Sequence, residues 1–244
     1  MATLLKTEGL TCRFGGIIAV NNCSISVERG SITGLIGPNG SGKTTLFNLI
    51  TNVYKADSGH VYMRDKRITG MAPHRLCQQG LSRTFQITRL FWDLTVLENM
   101  IVPVRQVGFR SLLALGMHGH EKERALSLLK RVGLDHMKDE PARKLSFGQQ
   151  KLLEFAAILM AEPELVLLDE PAGGVNPSMI RFLMDLIRSL NREGVTFLVV
   201  EHNMGLVMEL CNPILVLDQG QKIAEGSPEA VQANPVVLDA YLGD

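Results

Sequence analysis

Short apolar runs of strand length fill the first third of the chain. Within residues 1–83 they are separated by glycine turns, and they predict strands at Leu4–Cys12, Cys23–Val27, Ile32–Ile36 and Val61–Met63. Short apolar runs bounded by turn residues are typical of strands rather than helices. The opening third is therefore predicted to be rich in sheet.

Helical spacing replaces this pattern in the middle of the chain, from about Leu94 to Glu162. The segment Glu121–Val132 places its apolar residues three and four positions apart, and Leu152–Met160 is a second helical stretch. No internal repeat, low-complexity tract or long linker sets this region apart. It is therefore predicted to be a helical subdomain inserted into a core.

Strand character returns in the last third of the chain. Strands are predicted at Leu165–Leu168, Thr196–Val200 and Ile214–Asp218, with an amphipathic helix at about Pro177–Arg192. Strands that alternate with helices predict an α/β core with a parallel sheet. We expect one domain over residues 1–244, with the core formed by about 1–93 and 163–244 and the helical subdomain by about 94–162.

The composition excludes some classes of protein. Hydrophobic residues make up 45% of the 244 residues and charged residues 20%, so the chain can bury a substantial core and is not expected to be disordered. Lysine and arginine balance aspartate and glutamate at 25 each, which leaves no overall positive field for nucleic acid. Three tyrosines and one tryptophan also offer few rings for stacking on bases, so no nucleic acid partner is expected.

Membrane and metal signals are also weak. No apolar run approaches the roughly 20 residues of a membrane-spanning helix, and the first residues lack the features of a secretory signal. A soluble, cytoplasmic protein is expected. The four cysteines, Cys12, Cys23, Cys77 and Cys211, have neither CxxC spacing nor nearby histidines, so they are predicted to be small buried apolar residues.

A glycine-rich loop is the strongest chemical signal in the sequence. Residues 37–44 read Gly-Pro-Asn-Gly-Ser-Gly-Lys-Thr, match GxxxxGK[ST], follow a predicted strand and precede a helical run. Backbone N–H groups of such a loop converge on phosphate oxygens, while Lys43 can reach the β- and γ-phosphates and the Thr44 hydroxyl can bind Mg²⁺. The candidate nucleotide-binding residues are Gly37, Pro38, Asn39, Gly40, Ser41, Gly42, Lys43, Thr44 and Thr45.

Acidic residues end a second predicted strand. Asp169 and Glu170 directly follow Leu165–Leu168, at the strand end where open α/β sheets bind their ligands. Asp169 suits a Mg²⁺ ion, directly or through water, and Glu170 can polarise the attacking water. His202 closely follows Thr196–Val200, and its place at a core strand end predicts a γ-phosphate contact.

A third motif, Leu145-Ser146-Phe147-Gly148-Gln149-Gln150, precedes a helical run. On the residue pattern alone it is a helix that Ser146 caps, with a positive helix end. With this motif, the sequence resembles the nucleotide-binding subunits of ABC transporters over nearly the whole chain. The phosphate loop, the Leu-Ser-x-Gly-Gln signature, Asp169-Glu170-Pro171 and Glu201-His202 occur in the family's order.

The resemblance implies an α/β P-loop NTPase fold of the ABC type. Such a fold has a mixed-sheet core, an antiparallel β subdomain and an inserted helical subdomain. The resemblance also implies a head-to-tail dimer, either a homodimer or a heterodimer with a similar subunit. In such a dimer, ATP on the phosphate loop of one subunit is covered by Ser146, Gly148 and Gln149 of the other.

Further roles rest on the same resemblance. It implies that Phe14 stacks on adenine, and that Gln86 contacts Mg²⁺ and links the site to a membrane partner. Lys43, Gln86, Glu170 and His202 are then the catalytic residues. Without the resemblance, Phe14 would be assigned to the core and Gln86 to a solvated surface.

Several motifs resemble the uptake branch for branched-chain or other neutral amino acids. They are Phe14-Gly15-Gly16, the aromatic Phe147, residues 169–177 and the ending from Asn234-Pro235 to Tyr241-Leu242-Gly243, and branches for urea or lipids share much of this. The sequence departs from the broad family pattern at four positions. Phe14 replaces tyrosine, Phe147 replaces glycine, Ala157 replaces arginine, and Asn176 replaces aspartate.

These observations predict an ATPase that powers an importer from the inner face of the cell membrane. It would act with integral membrane permease subunits and, indirectly, with a substrate-binding protein. The surface near Leu90, Phe91 and Trp92 is the candidate docking site for the permease, although these residues could equally belong to the helical core.

A soluble ABC ATPase of DNA repair or translation usually has two such domains or a long coiled-coil insertion, and this sequence has neither. A regulatory module without turnover would not need Glu170 and His202.

Overall fold

A computed structural model describes residues 2–84, 90–102 and 119–242 of the chain. Its strands, in chain order, are β1 (Thr3–Phe14), β2 (Ile17–Cys23), β3 (Ser26–Glu28), β4 (Ile32–Ile36), β5 (Ser58–Met63), β6 (Lys66–Arg67), β7 (Leu81–Arg83), β8 (Leu165–Asp169), β9 (Thr196–Val200), β10 (Ile214–Asp218) and β11 (Gln221–Gly226). Its helices are α1 (Lys43–Ile50), α2 (Pro73–Gln78), α3 (Val96–Ile101), α4 (Gly119–Arg131), α5 (Phe147–Leu159), α6 (Pro177–Arg192), α7 (Met204–Leu210), α8 (Pro228–Gln232) and α9 (Pro235–Leu242). Short 3₁₀ helices lie at Asp135–Met137 and Ala142–Lys144.

The larger sheet has the strand order β11-β10-β4-β9-β8-β7. Pairing is parallel from β10 to β7, and only the pair of β10 with β11 is antiparallel, within the described residues. The predicted parallel core is therefore confirmed, with an antiparallel strand that makes the sheet mixed. The carboxyl ends of β4, β8 and β9 lie at the same edge, because parallel strands run in the same direction.

A smaller antiparallel sheet has the order β2-β1-β5-β6, and β3 also pairs with β1. The prediction of one continuous strand over Cys23–Val27 is wrong, because β2 ends at Cys23 and β3 begins at Ser26. The Thr7 hydroxyl donates to the Cys23 carbonyl at 3.1 Å and accepts from the Ile25 N–H at 2.9 Å. The Thr7 N–H also donates to the Ile25 carbonyl at 2.9 Å, so the side chain and the backbone of one residue on β1 both bind the segment between the two strands.

Two hydrophobic clusters cover the two faces of the larger sheet. Along β8, Val166 and Leu168 face a cluster that includes residues of helices α3 to α7, while Leu165 and Leu167 face one shared with α1 and the smaller sheet. This alternation is the period of two that a strand dictates. Since both faces are covered, the central strands are apolar at nearly every position.

The longer predicted helices are present. The helix predicted at Pro177–Arg192 has those bounds in α6, and the one predicted at Glu121–Val132 corresponds to α4. Helix α5 begins at Phe147, earlier than the predicted Leu152, because the Ser146 side chain caps it. In the described ranges, no helix has both the length and the apolar character needed to cross a membrane.

The four cysteines are free thiols, and Cys12, Cys23 and Cys211 are buried as predicted. Cys77, on α2, is only half-buried, which the sequence did not indicate. Burial raises the pKa of Cys23 to about 11 and that of Cys211 to about 12. Because the thiolate is the reactive form, both thiols are expected to be inert near neutral pH.

We therefore expect iodoacetamide at pH 8 to label Cys77 well before the other cysteines in the folded protein. With a pKa of about 11, only about one Cys23 side chain in a thousand is a thiolate at that pH. Peptide mass spectrometry after timed quenching measures each rate, and a urea-unfolded sample is the control in which all four cysteines react. Labelling of Cys211 as fast as Cys77 would contradict the packing described above.

Candidate nucleotide site

The phosphate loop joins β4 to α1 and passes close to two other backbone segments. A Cβ atom at Gly37 would lie 2.0 Å from the Leu217 carbonyl oxygen, and one at Gly42 would lie 2.3 Å from that of Ala19. The Gly220 N–H donates to the Ser41 carbonyl at 3.0 Å. Glycine is therefore required at 37 and 42 for close backbone approach, and β2 and the β10–β11 turn fix the loop from two sides.

Two glycines of this loop allow a controlled test of that requirement. Gly40 and Gly42 both have positive φ, 79° and 99°, but an added Cβ meets nothing within 4 Å at Gly40. We expect Gly40→Ala to lower the free energy of unfolding by about 1–2 kcal/mol. Gly42→Ala should lower it by about 2–5 kcal/mol, because overpacking adds to the same strain. Urea denaturation of both variants measures the difference, and equal losses would contradict the close approach to Ala19.

Lys43 lies buried under the loop that precedes it. Its Nζ donates to the Gly37 carbonyl at 2.9 Å, the Pro38 carbonyl at 2.8 Å and the Ser41 hydroxyl at 3.3 Å. Burial lowers the pKa of Lys43, and the negative charge of Glu170 opposes that shift. The ammonium group is thus held at the centre of the loop, with the Glu170 carboxylate close enough to affect it.

The amino end of α1 is suited to an anion. Its N-cap is Gly42, which supplies no side-chain hydrogen bond to the first turn. The N–H groups of that turn therefore remain available to a ligand, and the helix dipole adds partial positive charge. Thr44 is exposed at this end, and Thr45 is half-buried.

The predicted catalytic pair meets at the ends of β8 and β9. His202 Nε2 lies 3.0 Å from Glu170 Oε1. Glu170 has a φ of 50°, which is unusual for a residue other than glycine. Its N–H donates to the Val200 carbonyl at 2.9 Å, and its carbonyl accepts from Gly173 N–H at 3.1 Å and from Lys151 Nζ at 3.2 Å. Strained backbone held on both sides in this way is typical of functional sites.

Asp169 lies beside Glu170 and pairs with a residue that the sequence analysis missed. Arg83, at the end of β7, donates from Nη2 to Asp169 Oδ2 at 2.7 Å, and both side chains are buried. Arg83 Nη1 also donates to Asn48 Oδ1 at 2.7 Å and Thr51 Oγ1 at 3.1 Å, both in or next to α1. The pair therefore ties the acidic strand end to the helix that follows the phosphate loop.

The oxygen ligands here suit Mg²⁺ in a nucleotide complex. Among the described residues, no group of three or more histidine, cysteine, aspartate or glutamate side chains could hold a metal ion. Mg²⁺ usually takes only one or two protein ligands and completes its shell with water and phosphate oxygens. The Thr44 hydroxyl and the Asp169 carboxylate are the predicted ligands, and Asp169 Oδ2 already accepts from Arg83 Nη2 at 2.7 Å.

The signature motif forms the amino end of α5. Ser146 Oγ accepts from Gln149 N–H at 3.4 Å, and Gln149 Oε1 accepts from Ser146 N–H at 2.9 Å, which is a reciprocal capping box. In the part of the chain that is described, no hydrogen bond joins residues 145–150 to the phosphate loop. Gly148 instead faces Met179 of α6.

Phe147, one of the four residues that depart from the broad family pattern, is half-exposed and lies against the turn after Glu170. A Cβ at Gly174 would lie 2.8 Å from Phe147 Cε1, so glycine makes room for the ring. Lys151 Nζ lies 5.4 Å from the centre of the same ring. Since Lys151 also donates to the Glu170 carbonyl at 3.2 Å, the signature helix is joined to the catalytic strand end of its own chain.

Phe14 and the candidate docking residues are the other predicted residues that the structure describes. Phe14 ends β1, is 47% exposed, and meets Tyr54 edge-on at 5.4 Å between ring centres. Gln86 lies outside the described residues. Leu90 packs against the core, whereas Phe91 and Trp92 are exposed.

Comparisons with known proteins define the class to which this arrangement belongs. Residues 20–173 match the family model of the ABC transporter, which covers more than half of the chain. The chain therefore belongs to the ABC transporter family, as its motifs indicated. Residues 221–244 match a second model, that of the branched-chain amino acid ATP-binding cassette transporter.

Individual relatives agree with this assignment. The chain is 40% identical over 250 residues to the high-affinity branched-chain amino acid transport ATP-binding protein LivG of Escherichia coli, covering 99% of this chain and 98% of that protein. The ADP conformation of MJ1267, an ATP-binding cassette of an ABC transporter, superposes with a TM-score of 0.89 at 36% identity and full coverage of both chains. A dimeric post-hydrolysis state of the cassette MJ0796, bound to ADP and Pi, superposes with a TM-score of 0.79 at 26% identity, covering 92% of this chain and 99% of that one. The predicted fold class is confirmed.

Proposed function

We propose that this chain is the ATP-hydrolysing subunit of an importer for branched-chain amino acids. The observation that carries the proposal is the contact between Glu170 and His202 beside the phosphate loop, in a chain similar to LivG over almost its whole length. Glu170 orients the attacking water, and His202 contacts the γ-phosphate. Magnesium, when bound, neutralises charge on the phosphates, and Thr44 and Asp169 hold it.

ATP binds with its phosphates against the loop of residues 37–45. The Lys43 ammonium group donates to the Gly37 and Pro38 carbonyls at the centre of the loop. When ATP binds, Lys43 donates to phosphate oxygens in place of these carbonyls. The half-exposed ring of Phe14 stacks on adenine, and Tyr54 supports it at its edge.

Two such subunits form a head-to-tail dimer around the nucleotides. Ser146, Gly148 and Gln149 approach the phosphates bound by the other subunit, because they have no hydrogen bond to the loop of their own chain within the described residues. The segment of about 94–162 acts as a helical subdomain that carries this signature. The dimeric MJ0796 structure supports such pairing.

The permease docks on a surface that includes the exposed side chains of Phe91 and Trp92 and a groove that Arg83 lines. That groove is lined by Thr51, Val53, Leu76, Cys77, Ser82 and Arg83. Arg83 connects the groove to the site because it contacts both Thr51 and Asp169. Gln86 lies three residues after Arg83 in the sequence and is proposed to complete this connection.

Uptake measurements test the proposed function. Cells that lack this chain should lose uptake of radiolabelled leucine, isoleucine and valine, and the parental chain should restore it while Lys43→Ala does not. Uptake of an unrelated sugar is the control for general loss of transport. Normal amino acid uptake with loss of urea or lipid transport would overturn the substrate assignment and leave the ATPase assignment intact.

A further inference from the structure

Glu201 is a buried acidic residue between β9 and His202, and the reaction proposed above gives it no role. Its side chain is almost completely inaccessible, with 4% of the residue exposed. Its carboxylate accepts three backbone N–H groups: from Ala172 at 2.6 Å, from His202 at 3.1 Å and from Asn203 at 3.2 Å. Oε1 binds the first of these and Oε2 the other two, so the carboxylate joins two separate segments of chain.

Those two segments carry the catalytic pair. Ala172 lies two residues after Glu170, in the turn that follows β8, and His202 directly follows Glu201 itself. The His202 side chain is 47% exposed and that of Glu170 is 23% exposed, so burial alone does not hold them at their 3.0 Å contact. The relative position of Glu170 and His202 therefore depends on the two backbone segments. The Glu201 carboxylate connects these segments through its hydrogen bonds to their N–H groups.

We infer that Glu201 is a positioning residue for hydrolysis, which holds the Glu170 turn and the His202 segment at the separation that the reaction needs. The inference rests on the proposed function, in which Glu170 and His202 act on water and phosphate. A displacement of about 1 Å in such a pair can cost about a hundredfold in rate. A carboxylate is needed because both of its oxygens accept hydrogen bonds, one for each segment.

Two substitutions separate this role from charge alone. Glu201→Gln keeps the size, but its NH₂ group must face N–H donors on one side, so one of the two connections is lost. Glu201→Asp keeps the charge, but it is one methylene shorter and can reach only one segment. Both variants are therefore expected to relax the contact between Glu170 and His202.

The matched control is Glu164→Gln, at the opposite end of β8. Glu164 pairs with Arg29 at 2.9 Å and Arg64 at 2.8 Å, so its substitution also removes bonds to a carboxylate in the same sheet. It directly precedes the start of β8, whereas Glu170 directly follows the end of that strand. It therefore measures what the loss of a structural carboxylate does to turnover.

Steady-state ATPase kinetics and nucleotide binding are measured for the parent and the three variants. We expect kcat to fall by about tenfold or more in Glu201→Gln and Glu201→Asp. Their KM and the Kd for ATP should stay within about twofold of the parent, because the phosphate loop is unchanged, and Glu164→Gln should keep the parental kcat. Parental kcat in Glu201→Asp would overturn the inference, and so would parallel losses of kcat and ATP affinity.

Hydrogen–deuterium exchange provides a readout that needs no turnover. In Glu201→Gln, amide exchange should rise in peptides over residues 170–174 and 201–204, and it should remain unchanged over 37–45. Unchanged exchange at both segments would overturn the inference even if the parental chain proved inactive. If the parent hydrolyses no ATP but exchange rises as expected, the proposed function fails while the connection through Glu201 stands.

Discussion

Replacing Lys43 with alanine is expected to lower the ATP hydrolysis rate by about 10²–10³-fold, because it removes a positive group aimed at developing phosphate charge. Affinity for ATP should fall by about tenfold to a hundredfold, which corresponds to loss of a hydrogen bond to a charged group. The geometry supports a large effect, because Lys43 Nζ already lies within 3 Å of two loop carbonyls and is buried there. Phosphate release and calorimetric titration with ATP measure the two losses.

Lys130→Ala is the control for this prediction. Lys130 is an exposed lysine on α4, so its loss removes the same charge from a helix that does not follow the phosphate loop. This variant should keep parental turnover and ATP affinity. Circular dichroism and thermal melting confirm that both variants are folded. A Lys43→Ala protein that is folded and hydrolyses ATP at the parental rate would disprove the assignment of the phosphate loop.

The parts of the fold that the sequence predicted best are those in which local signals agree. Strands β4, β9 and β10 and helix α6 have the predicted bounds, since apolar runs or helical periodicity are bounded there by glycine, proline or asparagine. Helix α3 was missed although a signal was present: Thr95 and Glu98 form a capping box, and the spacing of these two residues indicates a helix start.

Other elements could not be found without tertiary contacts. Strand β7 is Leu-Ser-Arg, and only its parallel pairing with β8 makes it a strand. The ion pair between Arg83 and Asp169 joins residues 86 positions apart, and no local pattern indicates such a partner. The same holds for Glu201, whose acceptor role depends on the turn at Ala172. Motifs therefore identified the residues that are proposed to face the nucleotide, whereas the buried groups that contact those residues became visible only in the fold.

Replacing Glu170 with glutamine is expected to slow ATP hydrolysis by about 10²–10⁴-fold, because the amide cannot act as the base that polarises water. The amide keeps the size and reach of the side chain, so the contact with His202 Nε2, now 3.0 Å, can persist. Removing a negative charge next to the γ-phosphate should also favour the closed dimer. We expect hydrolysis to be the step that reopens this dimer, so the variant should accumulate as an ATP-bound dimer.

Size-exclusion chromatography with ATP or ADP tests this expectation, and the nucleotide itself is the matched control. ADP lacks the γ-phosphate that Ser146 of the other subunit and His202 are proposed to contact, so the variant should elute as a monomer with ADP and as a dimer with ATP. The parental chain should remain largely monomeric with both, because it converts ATP to ADP. Hydrolysis at the parental rate would remove Glu170 from the reaction. A slow variant could instead stay monomeric with ATP at high protein concentration. That result would mean that closure of the dimer also requires the membrane subunits. The two nucleotide sites would then bind ATP without supplying enough free energy to hold the dimer.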